Sequence, residues 1–126
     1  MTDTLRILCV DDDHDIRTIA VMALGLDPAT EVRSVGTGAE ALAMLGEGGW
    51  SPDVVLLDVM MPGMDGPAVL AALQTRGETP PVIFMTARAR RTDVDAYKAL
   101  GAVGVIVKPF DPLALAGEVR ALIGRA

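Results

Sequence analysis

"DVVLLDV", residues 53–59, carries no polar side chain between its two aspartates. A strand with one wet face alternates apolar and polar residues, whereas a strand covered on both faces is apolar throughout. Residues 53–59 therefore read as an inner strand of a sheet with helices on either side. "LRILCV" (5–10) and the run near Val82–Thr86 within "PPVIFMTA" have the same character, and "VGVIV" (103–107) supplies another strand. "EVRSV" (31–35) is more polar and belongs nearer an edge of the sheet.

Helical patterns fill the intervals. Ile16, Ile19, Ala20, Ala23 and Leu24 recur at helical spacing until "GLDP" stops the helix. Thr37 and Glu40 have capping-box spacing and open a short helix that ends near Gly46. After the loop "GEGGWSP", the third strand and the loop "MMPGMDGP", Pro67 suits the first turn of a helix running to about Arg76. The next helix spans roughly Arg90–Leu100, with Gly101 as its terminator. Asp111 is expected to cap a last helix, with Pro112 in its first turn and its end near Ile123. Five strands alternating with five helices, joined by right-handed crossovers, predict an α/β doubly wound five-stranded parallel sheet, flavodoxin-like, in strand order 2-1-3-4-5.

The chain has 126 residues, enough for one domain with a real core. Hydrophobic residues make up 51% and aromatics only 3%, so the core must come from aliphatic side chains and methionine. No apolar run approaches the length of a membrane span, and "MTDTLRILCV" has no secretory pattern. Cys9 is the only cysteine, which excludes an internal disulfide and fits a reducing, cytoplasmic location. The net charge of −6 disfavours nucleic acid as a partner, despite a local basic patch of Arg88, Arg90, Arg91 and Lys98.

In open parallel sheets, ligands gather outside the carboxyl ends of the strands. The expected strands place Asp11-Asp12-Asp13, Asp58, Thr86 and Lys108 there. Like charges about 4 Å apart repel by roughly 4 kcal/mol at the effective dielectric of a protein surface. Such a cluster calls for a cation. Carboxylates at neighbouring strand ends suit a hard ion such as Mg²⁺, which prefers oxygen ligands and keeps several waters. A lysine and a hydroxyl beside them suit a phosphoryl group, and a carboxylate in line with phosphorus can act as nucleophile. Asp58 is the central candidate.

Four pieces, Asp11-Asp12, Asp58 in "LLDVMMPGMDG", Thr86 in "FMTA" and Lys108-Pro109-Phe110 in "VIVKPF", occur in one order and spacing. On these the chain resembles the receiver domain of two-component response regulators over essentially its whole length. The resemblance implies that Asp58 is the phosphoacceptor and that Mg²⁺ is held by Asp12 directly, by Asp11 largely through water, by Asp58, and by the backbone carbonyl of Met60. It implies that Thr86 hydrogen-bonds the phosphoryl group, that Lys108 pairs with it, and that the Lys108–Pro109 peptide is cis. Asp13 is then an N-cap or first-turn acid, and His14 and Asp15 are solvated.

One position departs from the family. Three residues before the lysine the family commonly has Tyr or Phe, whose inward swing accompanies movement of the threonine; here it is Val105. Signalling is then expected to rely on the loops and on the Arg88–Leu100 region. Met60 and Arg88 flank the site and are expected to shield an acyl phosphate from water.

Three other functions compete. A calcium loop in "DDDHDIRTIAVM" fails because Ile16 and Met22 stand where Gly and Glu are required. A phosphatase of the haloacid dehalogenase type fails because Asp15 replaces the expected Thr or Val and there is no room for a cap domain. A phosphate-independent interaction module keeps some support from Val105.

The expectation is thus a single receiver domain, 1–126, without an output domain in this chain, or a piece of a longer regulator. It is not a conventional enzyme, catalysing only its own phosphorylation and dephosphorylation. Its phosphodonor would be a sensor histidine kinase or a histidine phosphotransfer protein, chosen by side chains near the first helix. Its output would be a downstream protein meeting the face of the fourth helix, fifth strand and fifth helix. Monomer and weak dimer are both compatible with the sequence.

Overall fold

The computed structural model describes residues 4–46, 50–77 and 79–125. Ten elements alternate: β1 (Leu5–Val10), α1 (His14–Leu24), β2 (Thr30–Val35), α2 (Gly38–Gly46), β3 (Val54–Asp58), α3 (Gly66–Arg76), β4 (Val82–Thr86), α4 (Arg91–Ala99), β5 (Gly104–Val107) and α5 (Leu115–Ile123). All strands are parallel, in the order β2-β1-β3-β4-β5, which is the expected flavodoxin-like topology.

Alternation of side chains along each inner strand divides the interior into two cores. Leu8, Val10, Val55, Leu57, Val82 and Phe84 face α2, α3 and α4. Ile7, Cys9, Leu56, Ile83, Met85 and Ile106 face α1 and α5. All five residues of β3 and all five of β4 are buried, whereas β2 is largely open. That pattern is why the sheet centres on β3 and why "EVRSV" lies at an edge. Burying each such Leu or Ile stabilises the fold by about 1.5–3 kcal/mol relative to leaving it exposed.

Local chemistry sets the helix ends. The Asp13 carboxylate accepts the N–H groups of Asp15 and Ile16, capping α1. The Thr37 hydroxyl accepts the Glu40 N–H and donates to the Glu40 carboxylate. Asp65 caps α3 through the Ala68 N–H, with Pro67 in the first turn. Gly101, at φ +115°, turns the chain after α4.

The last helix differs from expectation. It begins at Leu115, and Asp111 does not cap it. The Asp111 carboxylate accepts the N–H of Leu113, and its carbonyl accepts that of Ala114. Both bonds close a separate turn over residues 112–114 before the helix starts. Trp50 covers the edge of the core, with its indole N–H donating to Glu31 and Arg33 stacked 4.5 Å above its ring. Of the expected loop "GEGGWSP", residues 47–49 lie outside the described residues.

Candidate functional site

Four strand ends build the site. Asp11 directly follows β1, and its N–H extends the ladder to the Val35 carbonyl at 3.3 Å. It is fully buried. One of its carboxylate oxygens accepts the Asp13 N–H at 2.9 Å, and the other accepts Lys108 Nζ at 2.7 Å. Asp12 is exposed. Asp58, the last residue of β3, is 6% exposed and lies 3.1 Å from the same Lys108 Nζ.

Thr86 ends β4, 7% exposed, and its hydroxyl oxygen accepts the Arg88 N–H at 3.0 Å. Its hydroxyl proton remains available to a ligand. The Thr86 carbonyl accepts the Lys108 N–H at 2.8 Å, so the backbones of the two residues are neighbours at the end of the ladder. The Lys108–Pro109 peptide is cis. Met60 and Arg88 are exposed at the mouth. An apolar pocket of about 210 Å³ adjoins Lys108, lined by Ile16, Ile19, Pro109, Phe110 and Pro112.

Glycine matters at one point below the site. A Cβ on Gly66 would lie 2.6 Å from the Asp58 carbonyl oxygen and 3.0 Å from the Val59 Cα, so only glycine lets α3 start this close to the end of β3.

Burial pushes the Asp58 carboxyl up to about 6, and the charges of Asp11 and Asp12 add to the rise; the Lys108 ammonium opposes it. Burial alone would lower the Lys108 pKa, but its bonds to Asp11 and Asp58 outweigh this and hold it raised. The neighbouring Cys9 thiol is pushed up to about 12, mainly by burial, and is inert at neutral pH. Oxygens from Asp11, Asp12 and Asp58 all lie within 4.8 Å of one another. Three carboxylates against one ammonium leave two negative charges, which a divalent cation balances, and the donors are the hard oxygens that Mg²⁺ selects.

Val105 is half-buried and in register with Phe84 on β4. On this side of the sheet α4 adds an aromatic ring to that of Phe84. Tyr97 meets Phe84 edge-on, with centroids 5.1 Å apart and planes at 61°.

Several contacts were not legible beforehand. Arg17 donates to the Asp11 carbonyl at 2.7 Å, and its distance from the strand end gave no signal beyond a polar position on a helix. Arg120 ties α5 to the turn after α1 through Asp27 at 2.8 Å and the Ala29 carbonyl at 3.2 Å. The Asp27 carboxyl is lowered by the Ala29 N–H and by Arg120.

A family model described as the response regulator receiver domain matches residues 7–120. The chain belongs to this family, the phosphorylation-controlled receivers of two-component systems. The DNA-binding response regulator MtrA of Mycobacterium tuberculosis is 38% identical over 128 residues, covering 98% of this chain and 53% of MtrA. The transcriptional regulatory protein PrrA of the same organism is 38% identical over 120 residues, covering 95% of this chain and 50% of PrrA. The chain thus spans about half the length of these relatives. Among solved structures, chemotaxis response regulator CheY4 of Vibrio cholerae superimposes with a TM-score of 0.82 at 31% identity, covering 94% of this chain and 98% of that one. The receiver domain of the Francisella response regulator 1452 gives 0.86 at 25% identity, covering 97% and 98%. Among the described residues, no helix is long and apolar enough to cross a membrane.

Proposed function

We propose that Asp58 accepts a phosphoryl group from a phosphohistidine, with Asp11, Asp12, Asp58 and the Met60 carbonyl as the ligand set for Mg²⁺. The observation that carries this reading is the single Lys108 ammonium, 2.7 Å from Asp11 and 3.1 Å from Asp58, beside three carboxylates of matching reach. Asp11 has both oxygens engaged by the protein, which suits contact with the ion through water, while exposed Asp12 is free to bind directly. When bound, Mg²⁺ supplies charge neutralisation between carboxylate and phosphoryl oxygens.

The remaining work falls to this chain. An Asp58 oxygen attacks phosphorus, the phosphorus–nitrogen bond of the donor breaks, and the imidazole leaves with the electron pair. Lys108 follows the growing charge on the phosphoryl oxygens, and the Thr86 hydroxyl donates to one of them. The product carries about −1.5 to −2 charges where a single carboxylate stood. The switch biases an existing equilibrium because lysine and threonine bond the phosphoryl group only in one state.

The donor is a sensor histidine kinase or histidine phosphotransfer protein in the cytoplasm. Ile19, Met22 and Leu26 form an exposed apolar stripe on and just after α1, and with Leu113 they give such a protein an apolar footing beside the site. Output goes to a protein through the face of α4, β5 and α5, where Arg88, Arg90, Arg91 and Lys98 are exposed. Neither nucleic acid nor membrane is a partner of this domain, which acts as a monomer or weak dimer.

The test is intact mass after incubation with acetyl phosphate, with and without Mg²⁺, beside Asp58→Ala. A single phosphoryl adduct that requires Mg²⁺ and is absent from the variant supports the reading. No adduct, even from a phosphorylated kinase, overturns it in favour of a phosphate-independent interaction module.

A further inference from the structure

The roles proposed above leave Arg17 unused, although its guanidinium is a charged group bonded to the backbone of the loop that carries two of the proposed metal ligands. The parallel ladder between β1 and β2 ends at Val10 and Val35, and the Asp11 N–H still reaches the Val35 carbonyl. At the next step the strands have parted, and Arg17 Nη1 supplies the donor to the Asp11 carbonyl oxygen at 2.7 Å. Its other terminal nitrogen lies 3.4 Å from His14 Nδ1. Gly36, immediately after β2, leaves room for the guanidinium, since a Cβ there would lie 2.9 Å from Nη1. The end of β1, the first turns of α1 and the turn after β2 thus meet at one side chain.

The peptide that joins Asp11 to Asp12 is planar, so pinning its oxygen sets the directions in which both residues leave it. Both carboxylates then point where Asp58 can share an ion with them, before any ion arrives. We propose that Arg17 is a positioning residue for divalent-cation binding, holding the Asp11–Asp12 peptide in its binding orientation. This inference rests on the reading of the acidic cluster as the Mg²⁺ site.

Charge and placement predict opposite signs. The guanidinium is a cation near a cation site, so if its charge governed affinity, removing it would tighten Mg²⁺ binding. If placement governs, removing it loosens binding, as loss of groups supporting metal ligands does, by about tenfold or more. Gly36→Ala separates the two further, because it displaces the flexible guanidinium without removing its charge from the protein.

The experiment is calorimetric titration of the unphosphorylated protein with Mg²⁺ for wild type, Arg17→Met, Gly36→Ala and Asp12→Asn, followed by phosphorylation rates with acetyl phosphate against Mg²⁺ concentration. The expected result is a Kd raised about tenfold in both Arg17→Met and Gly36→Ala. Their rates at saturating Mg²⁺ stay near wild type, a separation that general loss of structure does not produce. Unchanged or tighter binding by Arg17→Met, with wild type binding and Asp12→Asn impaired, overturns the inference and leaves the metal reading intact. Absence of binding by wild type overturns both. Should Arg17→Met fail to fold, Gly36→Ala decides: a raised Kd supports positioning, and a wild-type Kd refutes it.

Discussion

Asp58→Asn is expected to stabilise the metal-free protein. The folded chain holds the Asp58 carboxyl near 6, against an ordinary value of 3.8, so the native state keeps this proton more tightly than the unfolded chain does. Ionised Asp58 therefore costs the native state nothing below its unfolded value, increasingly more as pH rises from 3.8, and its full amount above about 6. Read at about 1.4 kcal/mol per pH unit, the gap is worth at most about 3 kcal/mol. The site opens to solvent past the exposed Asp12, and screening reduces this to about 1–2 kcal/mol. Asparagine is neutral throughout, and Lys108 retains its bond to Asp11. Urea unfolding at about pH 7 in EDTA should show the variant more stable by that amount, with an unchanged dependence on urea. The advantage should vanish near pH 4 and shrink at neutral pH when Mg²⁺ is added, because the ion binds wild type better. A variant no more stable than wild type at neutral pH, or an advantage that persists undiminished in acid, would refute the electrostatic account.

Four further outcomes follow from individual contacts. Gly66→Ala should cost about 1–3 kcal/mol by urea unfolding and slow phosphorylation, since the new methyl meets the backbone of Asp58 and Val59, which cannot yield as a side chain could; wild-type behaviour would deny that close approach. Trimming both Met60 and Arg88 to Ala should shorten the half-life of the phosphorylated form severalfold by admitting water, and an unchanged half-life removes their shielding role. Tyr97→Leu should lose about 0.5–1.5 kcal/mol of pairing with Phe84 and speed hydrogen exchange in α4; exchange as slow as wild type would show that the ring does not anchor the helix. Asp27 is held below its ordinary carboxyl value, so its contribution is present above about pH 3.8 and lost as pH falls through the lower folded value. Asp27→Asn should then destabilise the protein at neutral pH and progressively less in acid, and a cost independent of pH would assign the effect to packing.

The fold was legible because β3 and β4 obey one rule without interference. Every side chain from Val54 to Leu57 and from Val82 to Met85 is buried, so apolar runs mapped directly onto inner strands. The site followed, because strand ends in a parallel sheet converge whatever their separation in sequence. Legibility failed where a polar residue had two local uses. Asp111 before Pro112 has the form of a helix cap, yet its carboxylate closes a turn with Leu113 and the helix waits until Leu115. It failed again for long side chains, since nothing in the spacing of Arg17, Arg120 or Tyr97 reveals which backbone oxygen or ring they reach across the fold.

Val105 looked like the loss of a switch, and the packing gives it another meaning. Thr86 and Lys108 are tied by one backbone hydrogen bond, and the Lys108 ammonium reaches Asp58 at 3.1 Å. The chain leaves Thr86 through Ala87, Arg88, Ala89 and Arg90 directly into α4, the one helix among those described that contains no fully buried residue. An element with few buried contacts is the least costly to shift. Its Tyr97 ring rests on Phe84, two residues before Thr86 on the same face of β4. A ring on β5 would couple threonine to α4 from the neighbouring strand. Here the ring belongs to α4 itself and leans on the strand that ends in the threonine, a contact between the two elements that does not involve position 105.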